Sequence, residues 1–365
     1  MEQIQVPQGM RDLITDDFRK KEALRKRIEN IFASWGYEPV STPALEYYQT
    51  FDNAYNELTD DEMYKFVDRN GHVLALRSDM TVPIARMTAS RFALRKPPFR
   101  FRYCEDVYKV RHSFAGQRNE ATDCGIECIG LGEESDLEVL SIALDTMAAI
   151  GAGPWQLELG NSSFFRSACT AEKLDKEDID KLARLIDRKS MVDLSEFVAS
   201  LSLSEKAASF FCTLPLLGGD ASIFEKAEEI SFTDDLKAAV AKMKTLYEKL
   251  KVLGYGSQVY FDFGKAPHLD YYTGIIFEGY VEGVGTSFLS GGRYDCLLAK
   301  FGKDMPACGF SIKLDTILDA LPKEKEIPVR EVTYRSGEEL DALLKARELR
   351  KLGPVRLKEE KEETL

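Results

Sequence analysis

The spacing of apolar and polar residues divides the chain into alternating helical and strand-like segments. A first helix is predicted from Thr15, as its N-cap, to Gly36, because apolar residues between them recur three or four positions apart. A further helix is predicted over residues 81–94. Another begins near Ser135, which has the spacing of a capping box with Glu138.

Strand-like runs lie between and after these helices. Prolines at positions 39 and 43 interrupt the extended segment 37–45, which predicts an edge strand. The other predicted strands are short apolar or alternating runs. They lie at residues 74–76, 99–110, 155–159 and 258–263 and at the start of 307–321. Strand character also continues from residue 263 through Tyr271 and Tyr272 to residue 288.

The spacing of apolar residues changes at two points along the chain. From about residue 165 to 254 the pattern is almost wholly helical. We therefore predict an α+β domain over residues 1–321, with a mixed, mainly antiparallel sheet flanked by helices and with a helical insertion at about 165–254. For residues 322–365 we predict a short C-terminal segment of one strand and one helix, followed by a charged tail that is solvated or disordered.

Composition and charge narrow the function classes. The 365 residues are 44% hydrophobic and 30% charged, and the formal net charge is −12. An acidic surface repels nucleic-acid phosphates on average, so tRNA is not an expected partner. No apolar run is long enough to cross a bilayer, and the N-terminus lacks the pattern of a signal peptide. We expect a cytoplasmic protein that does not contact membranes.

Cysteine and histidine usage gives no sign of a metal site. The seven cysteines are scattered, and we expect small buried thiols in a reducing compartment. Only three histidines are present, so a zinc site is not expected, and no cofactor is predicted.

Six short motifs follow one another in order along residues 5–321. Each is weak alone, but together they resemble the class II histidyl-tRNA synthetases and the paralogues descended from them. The motifs are Pro7-Gln-Gly-Met-Arg-Asp12, Thr42-Pro43 with Leu45-Glu46, Leu76-Arg-Ser-Asp-Met-Thr81, Gly125-Ile-Glu127, Leu269-Asp-Tyr-Tyr272, and Ser290-Gly-Gly-Arg-Tyr-Asp295 with Gly309-Phe-Ser-Ile-Lys-Leu314.

The resemblance implies a pocket that recognises histidine. Its candidate ligand contacts are Asp79, Thr81, Asp123, Glu127, Tyr271 and Tyr272. Four of them have a plainer alternative. The tyrosines fit ordinary strand residues, Asp79 fits an acid at a helix N-terminus, and Asp123 fits a partner for a nearby cation.

The resemblance also implies that catalysis has been lost. Adenylation joins a carboxylate to a phosphate, and fixed guanidinium groups stabilise the charge that develops. Removing one such group typically slows a reaction ~100- to 1000-fold. The positions that align with catalytic or nucleotide-contacting groups of the synthetases carry other residues, namely Lys109, Arg111, Asn119, Pro267, Lys313 and Thr316.

This combination resembles the regulatory subunits of short-form ATP phosphoribosyltransferase, which keep the scaffold without those residues. That transferase is the first enzyme of histidine biosynthesis. The resemblance implies a complex with the short catalytic subunit, activation of that subunit and feedback inhibition by L-histidine. It also implies self-association through the motif 1 region around Pro43. The segment from Val329 is too short for an anticodon-binding domain of about a hundred residues, so anticodon recognition is not expected.

Two alternatives stay open. The first is an active histidyl-tRNA synthetase that lacks a full anticodon-binding domain, and the second is a free-standing histidine sensor with an unrelated partner. Within the regulatory hypothesis, histidine binds either the synthetase-like pocket or the interface with the catalytic subunit.

Overall fold

The computed structural model describes residues 5–55, 63–111, 118–265, 272–322 and 328–360. The chain divides into two compact units, Met1–Leu321 and Pro322–Leu365. No helix in the described ranges combines the length and the apolar character needed to cross a bilayer.

The first unit contains a nine-stranded sheet and a three-stranded sheet within the described residues. The strands are β1 (Glu38–Pro39), β2 (Leu45–Tyr47), β3 (Lys65–Val67), β4 (Val73–Leu76), β5 (Phe99–Tyr108), β6 (Glu120–Ile129), β7 (Trp155–Asn161), β8 (Gly218–Gly219), β9 (Val259–Asp262), β10 (Ile275–Val281), β11 (Leu289–Arg293) and β12 (Ala307–Lys313). The order in the large sheet is β1-β5-β6-β12-β11-β10-β7-β9-β8, and the small sheet runs β2-β4-β3. In these two sheets, as far as the described residues show, β1–β5 and β7–β9 are the only parallel pairs.

Helices cover the large sheet and fill the middle of the chain. They are α1 (Thr15–Ser34), α2 (Tyr48–Asp52), α3 (Thr81–Arg91), α4 (Glu134–Ile150), α5 (Ser162–Ala171), α6 (Lys176–Asp187), α7 (Met191–Ser200), α8 (Glu205–Thr213), α9 (Ile223–Glu229), α10 (Asp234–Val252) and α11 (Leu314–Ile317). The fold is therefore α+β with a mixed, mainly antiparallel sheet and a helical insertion, as predicted.

The main core lies on one face of the large sheet. Along β6 the even-numbered residues Cys124, Ile126 and Cys128 are fully buried and pack in one cluster with apolar side chains of α1 and α4, such as Phe32 and Leu144. Successive side chains of a strand point to opposite faces, so the odd-numbered residues of β6 lie on the other face. The core and the candidate site are thus two sides of the same strands.

Two predicted helix starts are wrong in detail. Thr15 is the first residue of α1 rather than its N-cap, and Ile14, which precedes it, offers no capping side chain. The expected capping box at α4 does not form. Ser135 Oγ donates to the Gly132 carbonyl at 2.8 Å, and Glu138 instead accepts two hydrogen bonds from Arg100. An ion pair with Arg100 of β5 thus engages the carboxylate that the local pattern assigned to the cap.

The expectation that all seven cysteines are separate thiols is wrong for one pair. The structure joins Cys104 and Cys124 as a disulfide. The two residues face one another in the β5–β6 register, with their Cα atoms 4.0 Å apart. Register between strands is not visible in cysteine spacing along the chain, so this pair could not be predicted from the spacing.

The C-terminal unit contains a strand that was not predicted. It comprises β13 (Arg330–Tyr334), α12 (Glu339–Leu349) and β14 (Val355–Glu359). The expected disordered tail is therefore wrong for β14, which pairs in parallel with β13. Val355 and Leu357 alternate with charged residues and pack on a small core around Ala346. Because charged residues dominate this segment, the sequence pattern was interpreted as a tail and the alternation was missed.

This core gives a first prediction. Ala346 is fully buried in α12, so Ala346→Glu would place a charge in the core and should unfold the C-terminal unit. Amide hydrogen exchange should show loss of protection in β13 and β14, with β6 unchanged.

Lys345→Glu is the matched control, because Lys345 is exposed next to Ala346. Protection that survives in β14 of the Ala346→Glu variant would contradict this packing.

Candidate functional site

The sheet face opposite the main core carries the candidate pocket. β5, β6 and β12 are paired without interruption, so residues directly opposite one another point to the same face. Three rows of facing residues result, written across β5, β6 and β12: Phe101–Glu127–Gly309, Tyr103–Gly125–Ser311 and Glu105–Asp123–Lys313.

Glu127 is the most enclosed carboxyl group of this face, with 1% of its surface exposed. It accepts a hydrogen bond from Thr81 Oγ1 at 2.7 Å and another from the Tyr294 hydroxyl. Burial raises the pKa of Glu127 to about 8, although the hydrogen bonds from Tyr294 and Thr81 oppose the shift. At neutral pH the group is mainly protonated, and it would ionise if a cation came close.

Asp79 and Thr81 lie at the start of α3, next to Glu127. Asp79 Oδ1 accepts from the Val82 backbone N–H at 2.9 Å, and its Oδ2 accepts from the Tyr55 hydroxyl. The plainer role foreseen for Asp79, an acid that stabilises a helix N-terminus, is therefore present. Its charge also reaches Glu127, whose pKa it helps to raise. The pocket thus brings Asp79, Thr81 and Glu127 together.

Two glycines give this face its shape. A Cβ atom on Gly309 would lie 1.9 Å from Glu127 Oε2, so only glycine leaves room for that carboxyl group. A Cβ atom on Gly125 would lie 2.4 Å from the Tyr103 hydroxyl oxygen. The missing side chain therefore lets the Tyr103 ring lie across β6.

Asp123 belongs to the same face but to a different environment. Only 8% of it is exposed, and its Oδ1 has no hydrogen-bond partner among the described residues. Burial raises the pKa of Asp123 to about 6, against the opposing charges of Lys109 and Lys313. This position is compatible with both roles foreseen for Asp123, which are contact with a ligand and pairing with a nearby cation.

Of the two adjacent tyrosines, only Tyr272 belongs to the described residues, and Tyr271 lies outside them. Tyr272 packs in the same apolar cluster as Tyr103 and Tyr294, and a Cβ atom on Gly292 would lie 2.7 Å from its ring. The Tyr272 ring therefore covers the glycine beside the pocket. Its contact with a ligand stays a prediction.

The sequence missed two tyrosines that complete the pocket. Tyr294 donates to Glu127, and burial raises the pKa of Tyr103, with further increases from the nearby carboxyl groups of Glu127, Asp123 and Asp79. Tyr294 stands inside the Ser290–Asp295 motif, so the motif marked its position without indicating its role. Tyr103 faces inward in the alternating pattern of β5, which was the available signal.

The positions linked to lost catalysis cluster beside Asp123. Lys109, Arg111, Lys313 and Thr316 line a single cavity. Asn119 also lines it, but its amide donates to the Gln8 carbonyl at 3.1 Å and to the Tyr64 hydroxyl at 2.8 Å. Its role is thus to hold the N-terminal segment. Pro267 lies outside the described residues.

The chemistry available here is recognition of charge and hydrogen-bond donors. Carboxyl groups and hydroxyls gather at one end of the face, and cationic side chains gather at the other. Within the described ranges, no cluster of three His, Cys, Asp or Glu side chains could hold a metal ion.

Comparison with known proteins agrees with this geometry. The family model described as histidyl-tRNA synthetase matches residues 9–317. The structure of a histidyl-tRNA synthetase from Nostoc superposes with a TM-score of 0.80 at 21% identity, over 100% of this chain and 88% of that one, which shows the shared fold. Fold and pocket therefore define a class II, histidyl-tRNA synthetase-like protein.

Closer relatives carry a different name. ATP phosphoribosyltransferase regulatory subunits of Clostridium acetobutylicum and Caldanaerobacter subterraneus are 34% and 32% identical, over 87% and 96% of this chain and 78% and 93% of theirs. A Bacillus halodurans structure titled ATP phosphoribosyltransferase regulatory subunit/histidyl-tRNA synthetase is 32% identical, with a TM-score of 0.88 over 99% of this chain and 94% of that one. The chain belongs to the family of ATP phosphoribosyltransferase regulatory subunits.

The ionisation of Glu127 gives a second prediction. Its pKa in the folded protein, about 8, exceeds the ordinary 4.5, so its contribution to stability is full below pH 4.5 and is lost as the pH rises to 8. Glu127→Gln removes this titration. Relative to wild type, the variant should gain at least ~2 kcal/mol in free energy of unfolding between pH 5 and pH 8.

Denaturant unfolding at several pH values measures this difference. Glu248→Gln, on the exposed surface of α10, is the control and should run parallel to wild type. A Glu127→Gln curve that also runs parallel would show that Glu127 titrates normally.

Proposed function

We propose that this chain activates the short catalytic subunit of ATP phosphoribosyltransferase and makes it sensitive to inhibition by L-histidine. Histidine binds the pocket around Glu127 and favours a quaternary state in which the partner is inhibited. Such coupling requires only that histidine bind one state more tightly than the other. The observation that carries the proposal is a carboxyl-rich pocket beside a site without the groups for adenylation.

The charge of the pocket supports an amino-acid ligand. An α-ammonium group carries three donors and a full positive charge, and Asp79 and Glu127 offer carboxyl oxygens at the start of α3. An ammonium group near Glu127 would lower its pKa from about 8, so binding at neutral pH releases a proton. Asp123 and the tyrosine hydroxyls offer further partners for an imidazole ring.

The composition of the neighbouring cavity supports the absence of catalysis. At three positions that align with arginines of the synthetases, the cavity presents Lys109, Asn119 and Thr316, while its own arginines, Arg111 and Arg118, stand at other positions. A lysine is a flexible point charge and does not replace a bidentate guanidinium. We propose that the chain does not adenylate histidine.

The small sheet supports self-association near Pro43. In the β2–β4–β3 register, Leu45, Tyr47 and Phe66 share one face, and each has 45–54% of its surface exposed. On the opposite face Glu46 and Ala75 are buried, and Arg86 donates a hydrogen bond to Glu46. An exposed apolar sheet face of this kind is the surface that a second copy covers in a symmetric dimer.

Histidine binding gives the third prediction. Titration calorimetry at pH 7 in buffers of different ionisation enthalpy should show release of part of a proton for each histidine bound. Glu127→Gln should reduce the release, because it removes one titrating group, and should weaken binding about tenfold through loss of a charged contact. Histidine should then inhibit the reconstituted complex of the variant only at higher concentration.

Glu248→Gln serves again as the control and should behave as wild type. Unchanged histidine inhibition of the Glu127→Gln complex would move the effector site to the subunit interface. Histidine-dependent ATP–pyrophosphate exchange by the purified chain would overturn the proposal that it lacks catalysis.

The exposed sheet face gives the fourth prediction. The double variant Tyr47→Lys with Phe66→Lys should be monomeric by light scattering, whereas the wild type should be at least a dimer, because two buried lysines oppose the interface. Val192→Lys, an exposed change on α7, should leave the oligomer intact. A double variant with wild-type mass would place self-association elsewhere.

A further inference from the structure

The outer side of α12 carries an apolar stripe that is largely exposed in the described chain. Leu340, Leu343 and Leu344 have 70%, 46% and 54% of their surfaces exposed. Residues three and four positions apart lie on one side of a helix, so the three leucines form a single stripe. Ala342 and Ala346 pack in the small core of the C-terminal unit. The stripe therefore lies on the side of α12 that points away from that core.

The C-terminal unit has little apolar burial of its own. The fully buried members of its core in the described range are Val332, Ala342 and Ala346, of which two carry only a methyl group. Units as short as residues 322–365 rarely hold a sufficient core and commonly gain stability from association. The larger leucines lie outside, so a partner that covered them would supply the apolar burial that the unit lacks.

The charges of α12 are divided between its two ends. Its first turn and the residue before it are acidic, with Glu338, Glu339 and Asp341. Its last turn and the residues after it are mainly basic, with Arg347, Arg350 and Lys351. Two such helices in antiparallel orientation, centred on Leu344, place the acidic end of each level with the basic end of the other. A parallel pair would bring like charges together at both ends.

We propose that α12 pairs with α12 of a second copy of this chain, antiparallel and with Leu344 at the two-fold axis. The leucine stripes of the two helices then cover one another, and opposite charges border them at both ends. A surface of anionic lipids would favour basic residues along the whole helix, which the acidic first turn does not provide. The stripe and its charges are thus complementary to themselves.

The pairing is a small contact. Three leucines from each chain form a smaller interface than the ~1,200 Å² that stable interfaces usually bury. The inference therefore rests on the proposed self-association through the small sheet, which raises the effective concentration of one α12 near another. Without that association the pair is too weak to raise the mass of the dilute protein.

Cross-linking of the full chain tests the pairing. Leu344→Cys is introduced together with Cys296→Ser, which removes an exposed free thiol, and covalent dimers are followed during mild oxidation. Lys345→Cys in the same background is the matched control, because position 345 is also exposed. Leu344→Cys should cross-link at least ~tenfold faster than the control, because position 345 is turned about 100° around the helix.

Charge reversal tests the orientation. Arg347→Glu with Arg350→Glu, added to Leu344→Cys, should slow cross-linking about threefold or more, because two acidic ends then meet. The further change Asp341→Lys should restore part of the rate. All these positions are exposed, so amide protection in β14 should persist and show that the unit remains folded. An unchanged rate after the first reversal would exclude the antiparallel pair.

Two further results would overturn the proposal. One is an equal rate of cross-linking at positions 344 and 345. The other is protection of the Leu344→Cys thiol from alkylation only when the short catalytic subunit is present, which would assign the stripe to that partner. Light scattering separates this proposal from the sheet interface. A dimeric chain that does not cross-link at position 344 refutes the pairing of α12 alone, whereas a monomeric wild type refutes the sheet interface on which the pairing rests.

Discussion

The two-residue period of β6 is the constraint on which both the core and the pocket depend. Its even-numbered residues pack against α1 and α4, and its odd-numbered residues Asp123 and Glu127 form the polar face. A shift of one residue against β5 or β12 would place carboxyl groups in the apolar core. The long uninterrupted registers, and the bond between facing Cys104 and Cys124, hold the strand in the only alignment that serves both faces.

Charge changes along this face over a few residues. Glu127 lies at an end where burial raises the pKa of a carboxyl group to about 8, and Lys313 lies at an end where burial lowers the pKa of an ammonium group. Asp123 stands between them and faces Lys313 across the β6–β12 pairing. Burial thus disfavours the charged form of a group at each end, and a nearby opposite charge favours that form.

Sequence periodicity located the strands and the helical insertion because burial imposes a simple repeat. It placed β5 and β7 within a few residues of their ends. Glu127 was singled out by the resemblance, through the Gly125-Ile126-Glu127 motif. Periodicity could not show that Tyr294 donates to Glu127, because 167 residues separate the two along the chain. The capping prediction for α4 failed because Glu138 pairs with Arg100 of β5, which is also distant in sequence.

The glycines at 125 and 309 have a consequence for how such a protein changes its function. Because these two positions carry no side chain, the backbone sets the outline of the pocket there, and a change of side-chain rotamer at these positions cannot alter it. Positions 123 and 313 on the same face carry charges whose identity the backbone does not dictate. Substitutions at such positions can therefore change the charge that this face presents, while the walls set by Gly125 and Gly309 stay as they are.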